Sequence, residues 1–250
     1  MQIFCPICEG ACHLLDAVEF YQNTRLSVEH IPSASMPVSY LLCEKCGFCF
    51  APEFSEWRLE DFESKIYNSD YVLVDPDYQD VRPRANARHL CHLFGDQVPK
   101  ISHLDYGGGK GLLSEVLRES GWQSSTYDPF VDRDMRLEDL GKFDLITAYE
   151  VFEHVPDVLR LINDLALLLN EKGTVLFSTL LSDGNIKPNQ PLTWWYAKPR
   201  NGHISLFSRK SLSMLGAKVG FNFFSFSQDF HAFCRHIPPW AAHAIHQTPA

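Results

Sequence analysis

Residues 102–111, SHLDYGGGKG, constrain the fold of this 250-residue chain more than any other segment. An apolar stretch ends at Asp105, and glycines follow at the alternate positions Gly107, Gly109 and Gly111, before a stretch with helical periodicity. Glycine allows a sharp turn and a close approach of the backbone to a ligand, and the start of the helix offers unpaired N–H groups beside it. The segment therefore predicts a strand, a turn that binds a small-molecule cofactor, and a helix. Its spacing differs from the G-x-G-x-x-G of dinucleotide-binding folds.

Two further acidic positions support this interpretation. Asp128 ends the next strand-like stretch, about 20 residues after the glycines, where a carboxylate can accept hydrogen bonds from both hydroxyls of a ribose. The apolar residues 145–148 are flanked by Asp144 and Glu150, as expected for a buried central strand that opens into a polar cleft. We therefore expect a nucleoside-containing cofactor at the carboxyl ends of parallel strands.

Helix-like and strand-like stretches alternate through the rest of the chain. Apolar residues at helical spacing predict helices that include residues 82–95, 112–117, 158–169 and 208–218. Continuous apolar runs predict strands over residues 101–106, 145–148, 174–181, 221–226 and 230–234. This order predicts an α/β fold, a doubly wound sheet with crossover helices on both faces. Residues 236–250 carry prolines without periodicity, so we expect a disordered tail.

The cysteines are concentrated at the N-terminus. Six of the eight lie in the first 49 residues, and Cys5 with Cys8, and Cys43 with Cys46, form two Cys-x-x-Cys pairs. Two such pairs supply four thiolates, the tetrahedral set that suits Zn²⁺. Because all four ligands come from the protein, no position is left for water, and we expect a structural zinc site.

The segment between the two pairs contains the strand-like stretches VEFYQ (18–22), RLSVEHI (25–31) and VSYLLC (38–43), which would bring the pairs together. Three more side chains remain alternative zinc ligands: Cys12, His13 and Cys49. The other two cysteines, Cys91 and Cys234, are expected to pack as small apolar side chains.

Composition indicates a globular protein with one α/β domain and a small appendage. Hydrophobic residues make up 45% of the chain, enough for a sizeable core. No stretch approaches the roughly 18 apolar residues of a membrane helix, and the N-terminus lacks a signal-peptide pattern, so we expect a cytoplasmic protein with no membrane partner. The net charge is −9 and no Lys/Arg run exceeds two residues, which disfavours a broad electrostatic contact with nucleic acid.

The motifs FDLITAYEVFEHVPD (143–157) and LLNEKGTVLFST (168–179), together with the acids and glycines above, resemble the core of class I S-adenosylmethionine (SAM) dependent methyltransferases. The resemblance covers residues 82–235 and is nearest to ubiquinone-biosynthesis O-methyltransferases and to sugar methyltransferases with an N-terminal zinc module. It implies a Rossmann-like, mostly parallel sheet whose last two strands form an antiparallel hairpin at the edge, with a shortened third strand in residues 128–142. The expected organisation is a zinc-binding module (1–50), a connecting lid region of short helices (51–81), the methyltransferase domain (82–235) and the tail (236–250).

The resemblance also implies roles for individual residues around SAM. The glycines of the turn would meet the methionine part, Asp105 its amino group and Asp128 the ribose. The remaining cofactor contacts would be the adenine neighbours Phe130 and Met135, the sulfonium neighbours Tyr149 and Glu150, and the lid residue Tyr71.

A hydroxyl or carbon-acid acceptor needs a general base, and histidine has the unperturbed pKa nearest neutrality. His154, which follows the fourth strand, and His203, in the insertion 182–207 after the fifth strand, are the two candidates. The same insertion carries flat rings for stacking and two cations for a phosphate or carboxylate: Trp194, Trp195, Tyr196, Lys198 and Arg200.

We therefore expect a SAM-dependent methyltransferase that acts on a small-molecule acceptor, such as a sugar or nucleotide-sugar intermediate. One alternative is a methyltransferase whose zinc module presents RNA or a protein. Another is a non-catalytic protein that binds SAM or docks a partner. The sequence identifies neither the acceptor atom nor the oligomeric state.

Overall fold

The computed structural model describes residues 2–27, 31, 36–95 and 100–245. Within these residues the strands are β1 (Ile3–Phe4), β2 (Ala11–Glu19), β3 (Pro37–Cys43), β4 (Cys49–Phe50), β5 (Ser102–Tyr106), β6 (Gln123–Tyr127), β7 (Phe143–Ala148), β8 (Leu169–Ser178), β9 (Ser205–Leu206), β10 (Asn222–Ser225) and β11 (Phe230–Cys234). The α-helices are α1 (Leu59–Lys65), α2 (Tyr71–Val74), α3 (Val81–Phe94), α4 (Leu112–Glu119), α5 (Val158–Leu168), α6 (Arg209–Ala217) and α7 (Ala242–Ile245). Short 3₁₀ helices cover Pro52–Glu56, Leu137–Leu140, Phe152–His154 and Pro199–Asn201.

The chain divides into two compact units that are discontinuous in sequence. The first unit contains Met1–Pro76, Glu153–Leu159 and Leu180–Leu215, and the second contains Asp77–Phe152, Arg160–Thr179 and Gly216–Ala250. The insertion after β8 thus belongs to the same unit as the N-terminal cysteines.

The first unit is built on an antiparallel sheet with the strand order β1-β2-β3-β4-β9. Its central strand β3, PVSYLLC, contains the β-branched Val38 and the aromatic Tyr40, both of which are fully buried. The insertion adds the last strand, because Cys49 of β4 pairs with Leu206 of β9. Phe48 and Phe207 pack beside this pairing with ring centroids 5.0 Å apart.

Only part of the expected strand pattern occurs between the cysteine pairs. VSYLLC forms β3 as predicted, but the VEFYQ prediction was wrong beyond Glu19, where β2 ends. The chain turns there, with the amide of Gln22 donating to the carbonyl of Glu19 at 2.8 Å. Of the predicted strand 25–31, residues 28–30 lie outside the described residues, and residues 25–27 do not form a strand.

The second unit is built on a six-stranded sheet with the order β10-β11-β8-β7-β5-β6. Strands β6, β5, β7 and β8 run parallel, while β11 and β10 are antiparallel to their neighbours. The predicted Rossmann-like doubly wound fold and its antiparallel edge hairpin are therefore confirmed. Residues 128–142 contain turns and a 3₁₀ helix in place of a strand, so β6 forms the edge of the sheet.

Apolar faces of the helices cover this sheet. Leu113 and Leu117 of α4 are buried one turn apart, as their spacing predicts. They share a core cluster with Leu90 of α3 and Leu145 of β7. The carboxyl ends of β5, β6 and β7 remain at one edge of the sheet, where ligands bind in open α/β folds.

The prediction of a disordered C-terminal tail was wrong for residues 236–245. Ala241 and Ile245 are buried in the core cluster of the second unit, and the Trp240 ring lies 5.6 Å from that of Phe94. The packed residues do have helical spacing, at Ile237, Trp240, Ala241, Ala244 and Ile245, but two prolines interrupt the segment at its start and the pattern covers only two turns. None of the helices in the described part of the chain has the length and apolar character needed to cross a membrane.

Candidate functional site

The glycine turn follows β5 in the second unit. Gly107, Gly109 and Gly111 have φ angles of 75°, 56° and 83°, in the left-handed region that side chains disfavour. A Cβ on Gly107 would lie 2.5 Å from Cγ2 of Val151. Gly111 is also the N-cap of α4, so the turn delivers the chain directly into that helix. The alternate glycines are therefore required by backbone conformation, and the first of them also by space.

Gly108 is a fourth essential glycine that the sequence analysis did not single out. A Cβ at this position would overlap Oδ2 of Asp105 and would lie 2.8 Å from Cγ2 of Thr126. The φ angle of Gly108 is not positive, so glycine is required here by the Asp105 side chain beneath it and not by the backbone conformation. Three consecutive glycines after an acid were the available signal.

Asp105 is a buried acid at the end of β5. Thr147 of β7 donates a hydrogen bond from Oγ1 to Oδ1 of Asp105 at 2.8 Å. Burial raises the pKa of Asp105 to about 7, against the lowering effect of the Thr147 hydrogen bond, and the charge of Asp128 raises it further. A cationic group bound here would therefore be strongly favoured.

A buried polar chain orients Asp105. His103 Nε2 lies 3.0 Å from Thr147 Oγ1, and His103 Nδ1 lies 2.7 Å from Ser124 Oγ. Because Thr147 gives its proton to Asp105, the histidine donates from Nε2 and accepts from Ser124 at Nδ1. Burial lowers the pKa of His103 to about 3, so this imidazole is neutral at physiological pH. These hydrogen bonds connect side chains of β6, β5 and β7.

Asp128 follows β6 and holds the glycine turn in place. Its Oδ2 accepts a hydrogen bond from the amide of Gly109 at 2.8 Å, and its Oδ1 accepts one from the amide of Phe130 at 2.8 Å. Burial raises the pKa of Asp128 as well. Met135 lies farther along the same loop, with 44% of its surface exposed.

Tyr149 and Glu150 follow β7 at the same edge of the sheet. The Tyr149 hydroxyl is buried and has no hydrogen-bond partner among the described residues, and burial, then the Asp105 charge, raises its pKa. Glu150 has a φ angle of 54°, accepts a hydrogen bond from Ser178 at 2.9 Å, and forms an ion pair with Arg82 at 3.1 Å. No sequence pattern indicates this role for Arg82, because its partner lies 68 residues away.

The structure brings the two Cys-x-x-Cys pairs together in the first unit. Sγ of Cys5 lies 3.6 Å from that of Cys46, Sγ of Cys8 lies 3.4 Å from that of Cys43, and all four sulfurs lie within 4.8 Å of one another. Gly10 allows this approach, because a Cβ there would lie 3.1 Å from the Cys43 sulfur.

Hydrogen bonds join the thiols of this cluster in two pairs. The hydrogen bond with the Cys46 thiol lowers the pKa of Cys5 to about 5 and raises that of Cys46. The alternative ligands Cys12, His13 and Cys49 are not part of the group. Burial raises the pKa of Cys12 to about 12 and also raises that of Cys49.

The two candidate bases lie side by side in the first unit. The rings of His154 and His203 are 5.0 Å apart and edge to face. His203 donates from Nδ1 to the carbonyl of Tyr196 at 2.8 Å, and the Tyr196 hydroxyl donates to Glu153 at 2.5 Å. Tyr71, also in this unit, donates its hydroxyl to the carbonyl of Asn201 at 3.3 Å.

Fewer side chains of the insertion are exposed than its sequence predicted. Trp194 and Tyr196 are buried, so the expectation that all three rings are available for stacking was wrong, and Trp195 alone is exposed, at 58%. Arg200 is also buried, and its guanidinium donates to the carbonyl of Ile66 at 2.7 Å and to Asn68 at 3.0 Å. Arg200 thus holds the connecting region in place.

A mostly parallel sheet with an acid, a glycine turn and a second acid at its carboxyl edge defines a Rossmann-like cofactor-binding protein. The sequence profile of a methyltransferase domain family matches residues 78–225. The chain belongs to this family of methyltransferase domains.

Curated relatives match a shorter region. A ubiquinone biosynthesis O-methyltransferase of Xanthomonas campestris pv. campestris (strain B100) is 33% identical over 106 residues, covering 33% of this chain and 44% of that protein. The enzyme of the same description from Vibrio parahaemolyticus is 32% identical over 118 residues, covering 38% of this chain and 47% of that protein. The chain therefore spans about half the length of the curated relatives it matches.

Solved structures cover more of the chain at lower identity. The 1,6-didemethyltoxoflavin-N1-methyltransferase of Burkholderia thailandensis has a TM-score of 0.45 and 15% identity, covering 74% of this chain and 93% of that one. The magnesium protoporphyrin IX methyltransferase of Synechocystis PCC 6803 has a TM-score of 0.44 and 14% identity, covering 73% and 95%.

Proposed function

We propose that this protein is a SAM-dependent methyltransferase that acts on a small-molecule acceptor. One observation carries the proposal: two buried acids, Asp105 and Asp128, lie at the ends of adjacent parallel strands, on either side of a turn whose glycines have a left-handed backbone at positions 107, 109 and 111. Membership of the methyltransferase domain family supports the same activity.

The residues at this edge fit an adenosyl sulfonium compound. Asp105 suits the cationic amino group, because its own burial makes a positive partner favourable. Asp128 suits the ribose hydroxyls, since a carboxylate offers about four acceptor positions and two are used by backbone amides. The ring of Tyr149 favours a nearby cation electrostatically, and Glu150, whose carboxylate is paired with Arg82, lies at the same edge of the sheet. When bound, the sulfonium group supplies an electrophilic methyl group, and the protein supplies orientation and excludes water.

His154 and His203 are the side chains we assign to the acceptor, as general-base candidates. In sequence, His154 lies four residues after Glu150, the proposed neighbour of the sulfonium group. The exposed Trp195 ring offers a stacking face. A sugar or nucleotide-sugar acceptor fits such a face, and the net charge of −9 disfavours nucleic acid.

The direct test is isothermal titration with S-adenosylhomocysteine, the demethylated product. We expect the wild-type protein to bind it and Asp128→Ala to bind it about tenfold more weakly or worse, because charged hydrogen bonds to the ribose are lost. Asp128→Asn keeps the side-chain size and should also weaken binding. Asp139→Ala, an exposed acid farther along the same loop, is the control and should bind like wild type. Equal affinities for all four proteins would refute the ribose assignment.

The alternative functions give other results. A non-catalytic SAM-binding protein would bind the product but show no turnover of methyl-labelled SAM with any acceptor pool. An enzyme whose zinc module presents RNA or protein would label macromolecules in preference to low-mass metabolites.

We also propose that Cys5, Cys8, Cys43 and Cys46 bind one structural zinc ion. Four sulfurs at about 2.3 Å from a tetrahedral zinc lie about 3.8 Å apart, close to the 3.4 and 3.6 Å separations in the cluster. The low pKa of Cys5 provides a first thiolate. Such an ion would stabilise the sheet of the first unit without taking part in catalysis.

A further inference from the structure

Three metal-ligating side chains converge in the first unit, away from the cysteine cluster. A carboxylate oxygen of Glu153 and one ring nitrogen each of His154 and His203 lie within 4.8 Å of one another. Ligand atoms at about 2.1 Å from a common cation lie about 3 to 4 Å apart, so small side-chain rotations would complete the geometry. Glu153 is fully buried and His203 is nearly so, which keeps the group of donor atoms compact.

Tyr196 orients two of these three side chains at once. Its carbonyl takes the Nδ1 proton of His203 at 2.8 Å, so the lone pair of the neutral ring is on Nε2. Its hydroxyl donates to Oε1 of Glu153 at 2.5 Å. Metal-ligating histidines and carboxylates characteristically have such outer partners, which set the tautomer and the ring orientation.

The backbone holds the same three residues together. The amide of Ile204 donates to the carbonyl of Glu153 at 2.9 Å, which ties the two segments that carry the histidines. The carbonyl of His203 accepts a hydrogen bond from the buried Tyr40 hydroxyl at 2.6 Å. Gly202 has a φ angle of 88°, and a Cβ there would lie 2.7 Å from Nδ1 of His154, so this glycine leaves room for the imidazole.

We propose that Glu153, His154 and His203 bind a divalent transition-metal cation. One carboxylate and two imidazoles suit zinc, iron, cobalt, nickel or manganese. The four thiolates of the cysteine cluster are softer ligands and favour zinc. Three protein ligands leave coordination positions open for an acceptor oxygen, whose hydroxyl pKa the cation would lower. This last step rests on the proposed methyltransferase function, but the cation site itself does not. As ligands, the two histidines would act on the acceptor through the cation and not as free bases.

Titration with Co²⁺ tests the site. The full-length protein is first treated with a mild chelator, and elemental analysis verifies that the cysteine-bound zinc is retained. We expect calorimetry to show one additional Co²⁺ per chain, with an absorption spectrum that lacks a thiolate-to-cobalt charge-transfer band. Glu153→Gln and His203→Asn should each weaken binding at least about tenfold. The asparagine can still donate to the Tyr196 carbonyl, so it removes the ligand nitrogen with little other change.

His236→Gln, an exposed histidine outside the group, is the matched control and should bind Co²⁺ like wild type. Absence of a Co²⁺ site in the wild-type protein, wild-type affinity in both ligand variants, or a thiolate-to-cobalt band from the additional Co²⁺ would overturn the proposal. Titration with S-adenosylhomocysteine separates this from the proposed function: product binding without Co²⁺ binding refutes the cation site alone, and Co²⁺ binding without product binding refutes the methyltransferase assignment alone.

Discussion

Asp105→Asn should stabilise the ligand-free protein at neutral and alkaline pH while weakening cofactor binding. Asparagine has nearly the same size and can still accept the hydrogen bond from Thr147, but it carries no charge. The pKa of Asp105 is raised to about 7 by burial, compared with about 3.9 for an unperturbed aspartate. Since each pKa unit corresponds to about 1.4 kcal/mol, ionising this buried acid costs the folded state up to about 4 kcal/mol.

The sign of the pH dependence follows from the direction of the shift. The folded state binds the Asp105 proton more tightly than the unfolded state does, so this stabilising contribution is present below about pH 4. It is lost progressively as the pH rises to about 7. The Asn variant has no such loss, so its advantage over wild type should grow from near zero at about pH 4 to up to about 4 kcal/mol at about pH 8.

Urea unfolding of wild type, Asp105→Asn and Asp139→Asn across this pH range measures the effect, with the exposed Asp139 as the control. In calorimetry, Asp105→Asn should bind S-adenosylhomocysteine more weakly than wild type, because the amino group of the ligand loses its carboxylate partner. The reasoning is refuted if the difference in unfolding free energy between wild type and Asp105→Asn is independent of pH. It is also refuted if Asp105→Asn is the less stable protein at about pH 8.

Two further predictions concern the glycine turn and the cysteine cluster. Gly108→Ala should abolish binding of S-adenosylhomocysteine in calorimetry, because the new Cβ would overlap the Asp105 carboxylate, whereas Gly95→Ala, at a position where none of the described atoms lies within 4 Å, should bind normally. Cys43→Ser should lose about one zinc per chain in elemental analysis and unfold several degrees lower, while Cys91→Ser, outside the cluster, should retain the metal; zinc retained in the first variant would contradict the ligand assignment.

The sheet unit could be predicted from sequence because each of its signals is local. A left-handed turn requires glycine, and Gly107, Gly109 and Gly111 adopt the conformation their spacing implied. Buried parallel strands appear as continuous apolar runs, and β5 and β7 lie where such runs were found. The cysteine cluster could also be predicted, since two thiols three residues apart can face one metal ion.

Features that depend on distant contacts could not be predicted. Three consecutive glycines mark position 108 in the sequence, but the reason for a glycine there is the Asp105 side chain beneath it, which only the structure reveals. The Arg82–Glu150 ion pair and the buried tie from Arg200 to the connecting region join residues far apart in the chain. Trp194 is buried because the insertion packs into the first unit. Three adjacent aromatic residues, considered without this packing, predict exposed rings.

The grouping of the insertion with the N-terminal module suggests what the cysteine cluster does for the acceptor side of the protein. Strand β4, which begins three residues after Cys46, pairs with β9, and β9 begins two residues after His203. The Ser208 hydroxyl, just beyond β9, donates to the carbonyl of Cys46 at 2.5 Å. The proposed zinc ion would therefore restrain β9, which begins two residues after His203, through this backbone pairing. It would serve the acceptor site by fixing a loop, so its ligands would need no chemistry of their own.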